Sequence, residues 1–516
     1  VDSSTKHLTG RNPQAVQPRA FPPPSRKACS VVPLAALLMT GCAVGPDFKK
    51  PAAPDVGAYT AAPLSATVAT PDVAGGDAQR FSEGADIAAD WWTLFHSSAL
   101  NALIEQSLKT NHDLKAAQAA LTVARENALA QRGAFYPTIS AGYSASRQQQ
   151  SAALAPVPNG NTFQYDLFTP QLSISYAPDV FGLNRRTVES LTAQAQAVHF
   201  QMIAAYTTLT SNVVVTAIQE ASVQTQVEAT RALIDADAKM VDILKYQSKK
   251  GYASGLDLAA QESQLAQATA TLPPLLKQLA QLKDQLAVLA GRYPSQTPAG
   301  EFNLSSLQLP DELPLSLPSK LVEQRPDVLQ AEANLHAASA QIGVAVANRL
   351  PNIQLTGNAG TTALAFAQQF APGNEFWTIG AELTAPIFDG GTLLHQERAA
   401  RANYNEVAEQ YRSAVLTAFQ NVADTLTALE QDAEGLKAAA EAERAAKRTL
   451  DLTQRQLQDG YTNDLSLLTA EQAYQQTRLS LVQAQASRYA DTAALFQALG
   501  GGWWHRTDLA MDKHDD

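Results

Sequence analysis

One plan occurs twice along this chain, and it constrains the fold more than any single motif. A helical stretch leads into two stretches of alternating side chains, and these lead into a helical pattern longer than a globular domain accommodates. In the first copy, FYPTISAGYSASRQ sets Ile139, Ala141 and Tyr143 against Thr138, Ser140 and Gly142. FQYDLFTPQLSISYAP sets Leu172, Ile174 and Tyr176 against Gln171, Ser173 and Ser175. Period two with aromatics and Ser/Thr predicts strands. After Gly182 a helical pattern runs to about Lys250, roughly 100 Å at about 1.5 Å per residue. Gly251 and Gly255 interrupt it, and a further helix follows to about Ala290, with Pro273 and Pro274 expected to kink or split it. The helix ahead of these strands covers residues 98–134, with a break near Asn111.

The second copy repeats this order. Helical residues 320–348 precede the strand LPNIQLTGNAG, and EFWTIGAELTAPIF forms another strand with Ile379, Ala381 and Leu383 on one side. A helix then runs from about Thr392 to Gln458, Gly460 interrupts it, and a last helix ends near Leu499. Pro137 answers Pro351, Phe181-Gly182 answers Phe388-Asp389-Gly390, and Gly251-Tyr252 answers Gly460-Tyr461. A duplicated helix–strand–strand–helix unit accounts for these landmarks.

Strands are expected over residues 137–149, 163–177, 351–361 and 375–386, apolar side chains alternating with small polar ones. Such strands suit a membrane wall, but four of them cannot close one, because an open edge in lipid leaves peptide groups unpaired. Several chains must donate strands to one barrel. Three chains give twelve strands; two give eight, a barrel generally too narrow for a wide solute path. The long helices carry heptad-like seams: Tyr404, Val407, Tyr411, Val415, Ala418, Val422, Leu426 and Leu429, and Leu479, Val482, Ala486, Tyr489, Ala493 and Phe496. An intracellular coiled coil would share the seams but has no use for two amphipathic strand pairs at matching positions.

Composition narrows the partners. The net charge of -11 and the lack of a basic stripe or zinc-finger spacing argue against nucleic acid. No stretch approaches the ~20 apolar residues of a spanning helix. Residues 26–42, RKACSVVPLAALLMTGC, have a basic pair, a short apolar run and small residues before a cysteine, the form of a signal peptide. Met39-Thr40-Gly41-Cys42 resembles a lipobox, in which the cysteine sulfur is acylated and the chain is cut before it; an ordinary cleaved signal is the other reading. Residues 1–25 read as an overextended start. The expected organisation is a signal peptide over 1–41, a lipid-anchored tether over 42–90, a first repeat over 91–300, a linker over 301–319, a second repeat over 320–504 and a tail over 505–516. The eight histidines form no H-E-x-x-H pair, and there is no phosphate loop, nucleophile elbow or dinucleotide fingerprint, so neither catalysis nor a cofactor other than the covalent lipid on Cys42 is expected.

Several motifs, in order, resemble the TolC- and OprM-like outer membrane factors of Gram-negative efflux systems, the OprM-like lipoproteins most closely. They are Cys42-Ala43-Val44-Gly45-Pro46-Asp47-Phe48 with Pro51, Trp91-Trp92 with Phe95, Arg325-Pro326-Asp327-Val328 with Ala331-Glu332, and Ile342-Gly343-Val344-Ala345 with Leu350-Pro351. The resemblance implies a mixed α/β membrane protein: a homotrimer whose chains each give four strands to a twelve-stranded β-barrel continuous with a twelve-helix periplasmic barrel. It implies a belt of mixed structure halfway down the helices. It also implies a periplasmic adaptor and an inner-membrane proton-driven pump of the RND type as partners, and small-molecule solutes such as drugs. The family's other role, a duct for type I protein secretion, is the alternative.

By the same resemblance, GYASGLDLA and GYTNDLSLL form a periplasmic tip that narrows to a gate. Asp257 takes an acidic position of the first hairpin, and Leu465 and Thr469 the two constricting positions of the second. Relatives often carry aspartates where this chain has Thr469 or Ser466, and the nearest acid here is Asp464. A leucine ring closing by exclusion of water is therefore expected, with Leu465 packed between helices as the competing reading. Asp179 and Gly182, in YAPDVFG, resemble a strand-to-helix corner, although the glutamate common two residues earlier is Ala177 here. Asp179 is expected to cap or turn the chain, and Arg325, Pro326 and Asp327 to lock a corner.

Overall fold

A computed structural model describes residues 43–509 apart from 63, 152–162, 297–301 and 303. The leader expected over 1–41, the acylation expected at Cys42 and residues 510–516 of the expected tail lie outside the described residues. A short strand β1 (Arg80–Glu83) and a 3₁₀ turn (Trp91–Phe95) precede α1 (Ser98–Thr110) and α2 (His112–Arg132). The expected break falls at Asn111, whose side chain caps α2 by accepting from the Leu114 N–H at 2.9 Å. Strands β2 (Thr138–Gln150) and β3 (Phe163–Tyr176) lead into α3 (Leu183–Lys249) and α4 (Gly255–Leu289). After strand β4 (Glu312–Leu315) come α5 (Pro318–Gln324), α6 (Pro326–Ala347), β5 (Asn352–Thr361), β6 (Glu375–Thr384), α7 (Thr392–Gln458) and α8 (Asp464–Ala498).

The duplication is metrically strict. α3 and α7 are both 67 residues long, and α4 and α8 both 35. Gly460 minus Gly251 and Gly391 minus Gly182 both equal 209, so the two copies keep one register from corner to tip. Gly182 is thus matched by Gly391, one residue beyond the landmark read from the sequence. Both precede a long helix in the left-handed region, at φ 81° and 87°, where a side chain is strained. Two expectations are corrected. The helix over 320–348 is divided, because Pro326 opens α6 at its first position and holds Arg325 extended at φ −79°, ψ 123°. Conversely, Pro273 and Pro274 do not split α4. They sit on its exposed side, where water can serve the carbonyls that proline leaves unpaired.

α3 packs against α2 and α6 in one half of its length and against α4 and α8 in the other, while α7 packs on α6 and then α8. Each chain is thus a wall four helices wide, with α2 and α4 at one margin and α7 at the other. The seam read from the sequence is buried: Tyr411, Val415, Ala418, Val422, Leu426 and Leu429 on α7, and Val482, Tyr489, Ala493 and Phe496 on α8.

A belt crosses this wall halfway down, built from three distant segments. β1 pairs in parallel with β4, Arg80 opposite Glu312. The Gln79 amide donates to Pro310 O and to Thr492 Oγ1, and the Tyr489 hydroxyl donates to Leu307 O at 2.8 Å. Trp91 stacks on Phe496 with ring centroids 5.0 Å apart, and Phe95 lies beneath it, fully buried. From the C-terminal end, Trp503 Nε1 donates to Gln324 O and Trp504 Nε1 to Asp86. Among its described residues the segment 43–90, expected as a tether, contains no helix, and it is fastened to the rest of the chain at Val44, Tyr59, Thr67 and Arg80.

His199, on α3, is buried among these elements, and burial pushes its imidazole down to about 4, the nearby Arg125 charge adding to the effect. The unfolded chain takes up this proton below about pH 6.5, the folded chain only near 4, so stability is present above 6.5 and falls away through that window as pH drops. Unfolding in detergent at pH 7 and pH 5 is expected to show a loss on the order of 2 kcal/mol per chain from this group. His199→Gln removes that increment of pH dependence; an unchanged slope excludes His199 as its source.

Candidate functional site

The strands form one antiparallel sheet in the order β2-β3-β5-β6, and its register sorts most side chains by face. Ile139 lies opposite Ile174, Ile174 opposite Gly357 and Gly357 opposite Ile379. Two residues along, Ala141, Leu172, Ala359 and Trp377 form a parallel row. Between them runs Ser140, Ser173, Asn358 and Thr378, and on its other side Thr138, Ser175, Thr356 and Gly380. Side chains directly opposite in an antiparallel sheet share a face, so through these rows one face is apolar and the other carries small polar groups; Phe376 of β6 falls on the polar face, opposite Gly360, and Arg147 and Asp166 end the apolar one. The apolar face is uncovered in the chain: Trp377 is 75% and Ile379 80% exposed. From Phe168 to Tyr176 it extends roughly 27 Å along the strand, close to the ~25 Å apolar band of an outer-membrane barrel. Among the described residues, β2 pairs only with β3 and β6 only with β5, so both outer edges keep free peptide groups.

Where strand becomes helix, an aspartate supplies acceptors for the first helical N–H groups in each copy. Asp179 accepts from Asn184 N at 2.9 Å and Arg185 N at 3.0 Å, and its carboxylate pairs with Arg185 Nε at 3.1 Å. Asp389 accepts from Gly391 N and Leu393 N, and these two bonds hold its carboxyl below the usual range. Asp179 thus has the capping geometry expected of it. Arg325 makes a two-pronged pair with Asp327 and donates to Ala498 O at 2.9 Å, so the start of α6 is tied to the last turn of α8.

The first corner also receives the N-terminal segment, and sequence reasoning missed the residue that holds it. Arg186, nearly buried, donates to Val44 O at 3.0 Å and pairs with Asp47 and Glu189, both at 2.7 Å. Val44 N donates to Phe181 O, and Phe48 stacks on His336 at 4.4 Å. Gly45 crosses α6 at Gly343 so closely that a Cβ on Gly45 would lie 2.4 Å from Gly343 Cα.

At the opposite end both hairpins meet. The Gln247 amide, from the last turn of α3, donates to Asp464 Oδ2 at 2.9 Å, linking the first hairpin to the second. Met240, Leu244 and Leu468 are buried together behind this link. Asp257 is the third helical residue of α4, and its carboxylate accepts from Ser254 N and Oγ while Ser254 Oγ caps Asp257 N. Its counterpart is Ser466, which donates from both N and Oγ to Asn463 Oδ1 at 2.9 Å. The Thr469 hydroxyl donates to Leu465 O within its own helix. Leu465 is 45% exposed, and the side chain sealed between helices is Leu468, at 3%. Sequence reasoning missed Leu468, about one helical turn beyond Leu465 in the same apolar run.

The family model described as "Outer membrane efflux protein" matches residues 103–292 and 317–501. The toluene efflux pump outer membrane protein TtgC of Pseudomonas putida is 28% identical over 484 residues, covering 93% of this chain and 96% of that protein. The pyoverdine export outer membrane protein OpmQ of Pseudomonas aeruginosa is 29% identical over 447 residues, covering 86% and 94%. The crystal structure of the Campylobacter jejuni CmeC outer membrane channel superposes with a TM-score of 0.80 at 22% identity, covering 89% of this chain and 95% of that one, and so shares the fold. With its duplicated walls, two-faced sheet and joined tips, this chain belongs to the outer membrane efflux protein family.

Proposed function

We propose that this chain is the passive outer-membrane exit channel of a tripartite efflux pump, working as a lipid-anchored homotrimer. The observation that carries the reading is the four-stranded sheet with one apolar face, one polar face and two unpaired edges. Edge pairing between chains satisfies the free peptide groups, and three copies give a twelve-stranded wall with lipid against the apolar face and water against the polar one. The helical margins support the same closure, α7 of one chain meeting α2 and α4 of the next. Solutes would be small molecules handed over by an inner-membrane proton-driven RND pump through a periplasmic adaptor. The toluene and pyoverdine roles of the relatives favour such cargo over a secreted protein. Such a channel consumes no energy and breaks no bond; direction comes from the pump.

Closure at the tip is assigned to Leu465. Its partial exposure beside the sealed Leu468 leaves it free to meet its two symmetry mates on the axis. A leucine ring with Thr469 one turn away, its hydroxyl proton already bonded, excludes water with little charge. Asp257, Asp464 and Ser466 surround this ring as capping and linking groups. The lipid is assigned to Cys42, one peptide bond from the segment that Arg186 fastens at the strand–helix corner.

Three outcomes test this. Purified protein should be a trimer in detergent, and Ile379→Arg on the lipid face should cost about 2–4 kcal/mol, with Thr378→Arg on the water face costing little. Equal tolerance on the two faces, or a barrel closed by one chain, rejects the assignment. In planar bilayers Leu465→Ser should raise the resting conductance several-fold, whereas Asp257→Asn should alter cation preference more than closure. The reverse pattern makes the charged cap the gate. Intact-mass measurement should find the mature chain beginning at an acylated Cys42; an unmodified thiol removes the lipid anchor while leaving the barrel reading intact.

A further inference from the structure

Below the belt contacts, the α7–α8 pair carries a charged cluster that neither conduction nor closure has used. Arg488, on α8, is fully buried. One guanidinium nitrogen, Nη2, donates to Thr67 Oγ1 at 3.0 Å and to Asp77 O at 2.6 Å, so the belt is pinned to α8 through it. Its Nε and Nη1 bond to no described protein atom, and the charge is met through space by Asp77 and Asp432. On α7, Asp432 Oδ2 is buried with no hydrogen-bond partner, and the neighbouring Asp491 carboxyl of α8 acts on it. Two carboxylates are both acceptors, so the two bond only when one of them keeps its proton.

We propose that Asp432, Asp491 and Arg488 form a proton-dependent junction at the level of the belt, which clamps α7 to α8 when the two carboxyls share one proton and loosens the pair when both are ionised. With one proton the pair carries a single negative charge against the single positive charge of Arg488, and α7 is bonded to α8. With none, two negative charges oppose each other across the seam, with one half-satisfied guanidinium between belt and helix. The site's surroundings agree in sign. Burial pushes the Asp432 carboxyl up to about 7, the Asp491 hydrogen bond and charge add to this, and Arg488 opposes it.

A carboxyl held near 7 in the clamped state and near 3.8 when released favours the clamp at low pH. That preference is lost as pH rises from about 4 to 7 and is level above it. Position gives the junction leverage. Asp491 lies 26 residues from Leu465, about 39 Å along α8, so a pivot of about 5° at the belt moves the tip by about 3 Å. This last step rests on the channel reading above; the clamp itself does not.

Amide hydrogen exchange of the full-length protein in detergent, corrected for intrinsic pH dependence, tests the clamp at pH 5 and pH 7.5. Segments around Asp432 and Arg488–Asp491 should lose at least about tenfold in protection at the higher pH. Asp432→Asn, which donates to Asp491 without titrating, should hold the protected state at both. Asp491→Asn serves as the mirror variant should the first fail to assemble. No pH dependence in the wild type, or the same dependence in either Asn variant, overturns the proposal. Single-channel recording of the same proteins separates the lever from the channel. Exchange that responds to pH while resting conductance does not rejects the lever alone, and a protein that never conducts rejects the channel reading while the clamp result stands.

Discussion

A backbone in hydrocarbon has no water to bond to, and that fact organises everything in this molecule. Among the described residues the sheet β2-β3-β5-β6 leaves a row of peptide groups open on each side. The cost is several kcal/mol for each group left unmet. Another sheet edge lifts it, which is the physical ground for the proposed trimer. The helices inherit the same geometry: because β2 follows α2 and β6 precedes α7, the margins of the helical wall stand directly under the margins of the sheet.

Below the membrane the governing force changes. There, water satisfies the backbone and apolar seams decide the packing. The stripe of α7 is narrow, rich in Leu and Ala and buried on one side, whereas α3, in the middle of the wall, is buried nearly all round. The belt is the exception, with Trp91, Phe95, Tyr489 and Phe496 in a dense aromatic core that fixes the wall at mid-height. Ends of the structure are held by polar devices instead: Asp179 and Asp389 at the corners, Ser254 and Asn463 at the tips.

Much of this was legible beforehand, for physical reasons. Period two over ten or more residues reports a two-faced strand directly, so the four strands and the grouping of their faces followed from Ile139, Leu172 and Ile379. Which face belongs with which needed the register, since alternation fixes parity within a strand but not between strands. The helical seams were equally clear in Val415, Val422 and Leu429. What stayed hidden were long-range polar pairings. Arg186 with Asp47, Gln247 with Asp464 and Arg488 with Thr67 join residues far apart in sequence that carry no local pattern. The proline pair in α4 misled because propensity speaks of isolated helices, whereas this one packs along α3, with Leu272 and Leu275 on either side of the prolines set against Val223 and Val227.

The equal helix lengths restrict how such a molecule can change size. One residue inserted in α3 turns everything beyond it by about 100° and adds about 1.5 Å, which takes Gln247 away from Asp464 and sends the seam to the wrong side. Seven residues, two turns of a supercoiled helix, restore the facing. Even then the new tip overhangs its partner unless α4, α7 and α8 lengthen together. The reach of this tube is therefore quantised: viable variants come in steps of about seven residues made in all four helices at once, and intermediate lengths are closed to it.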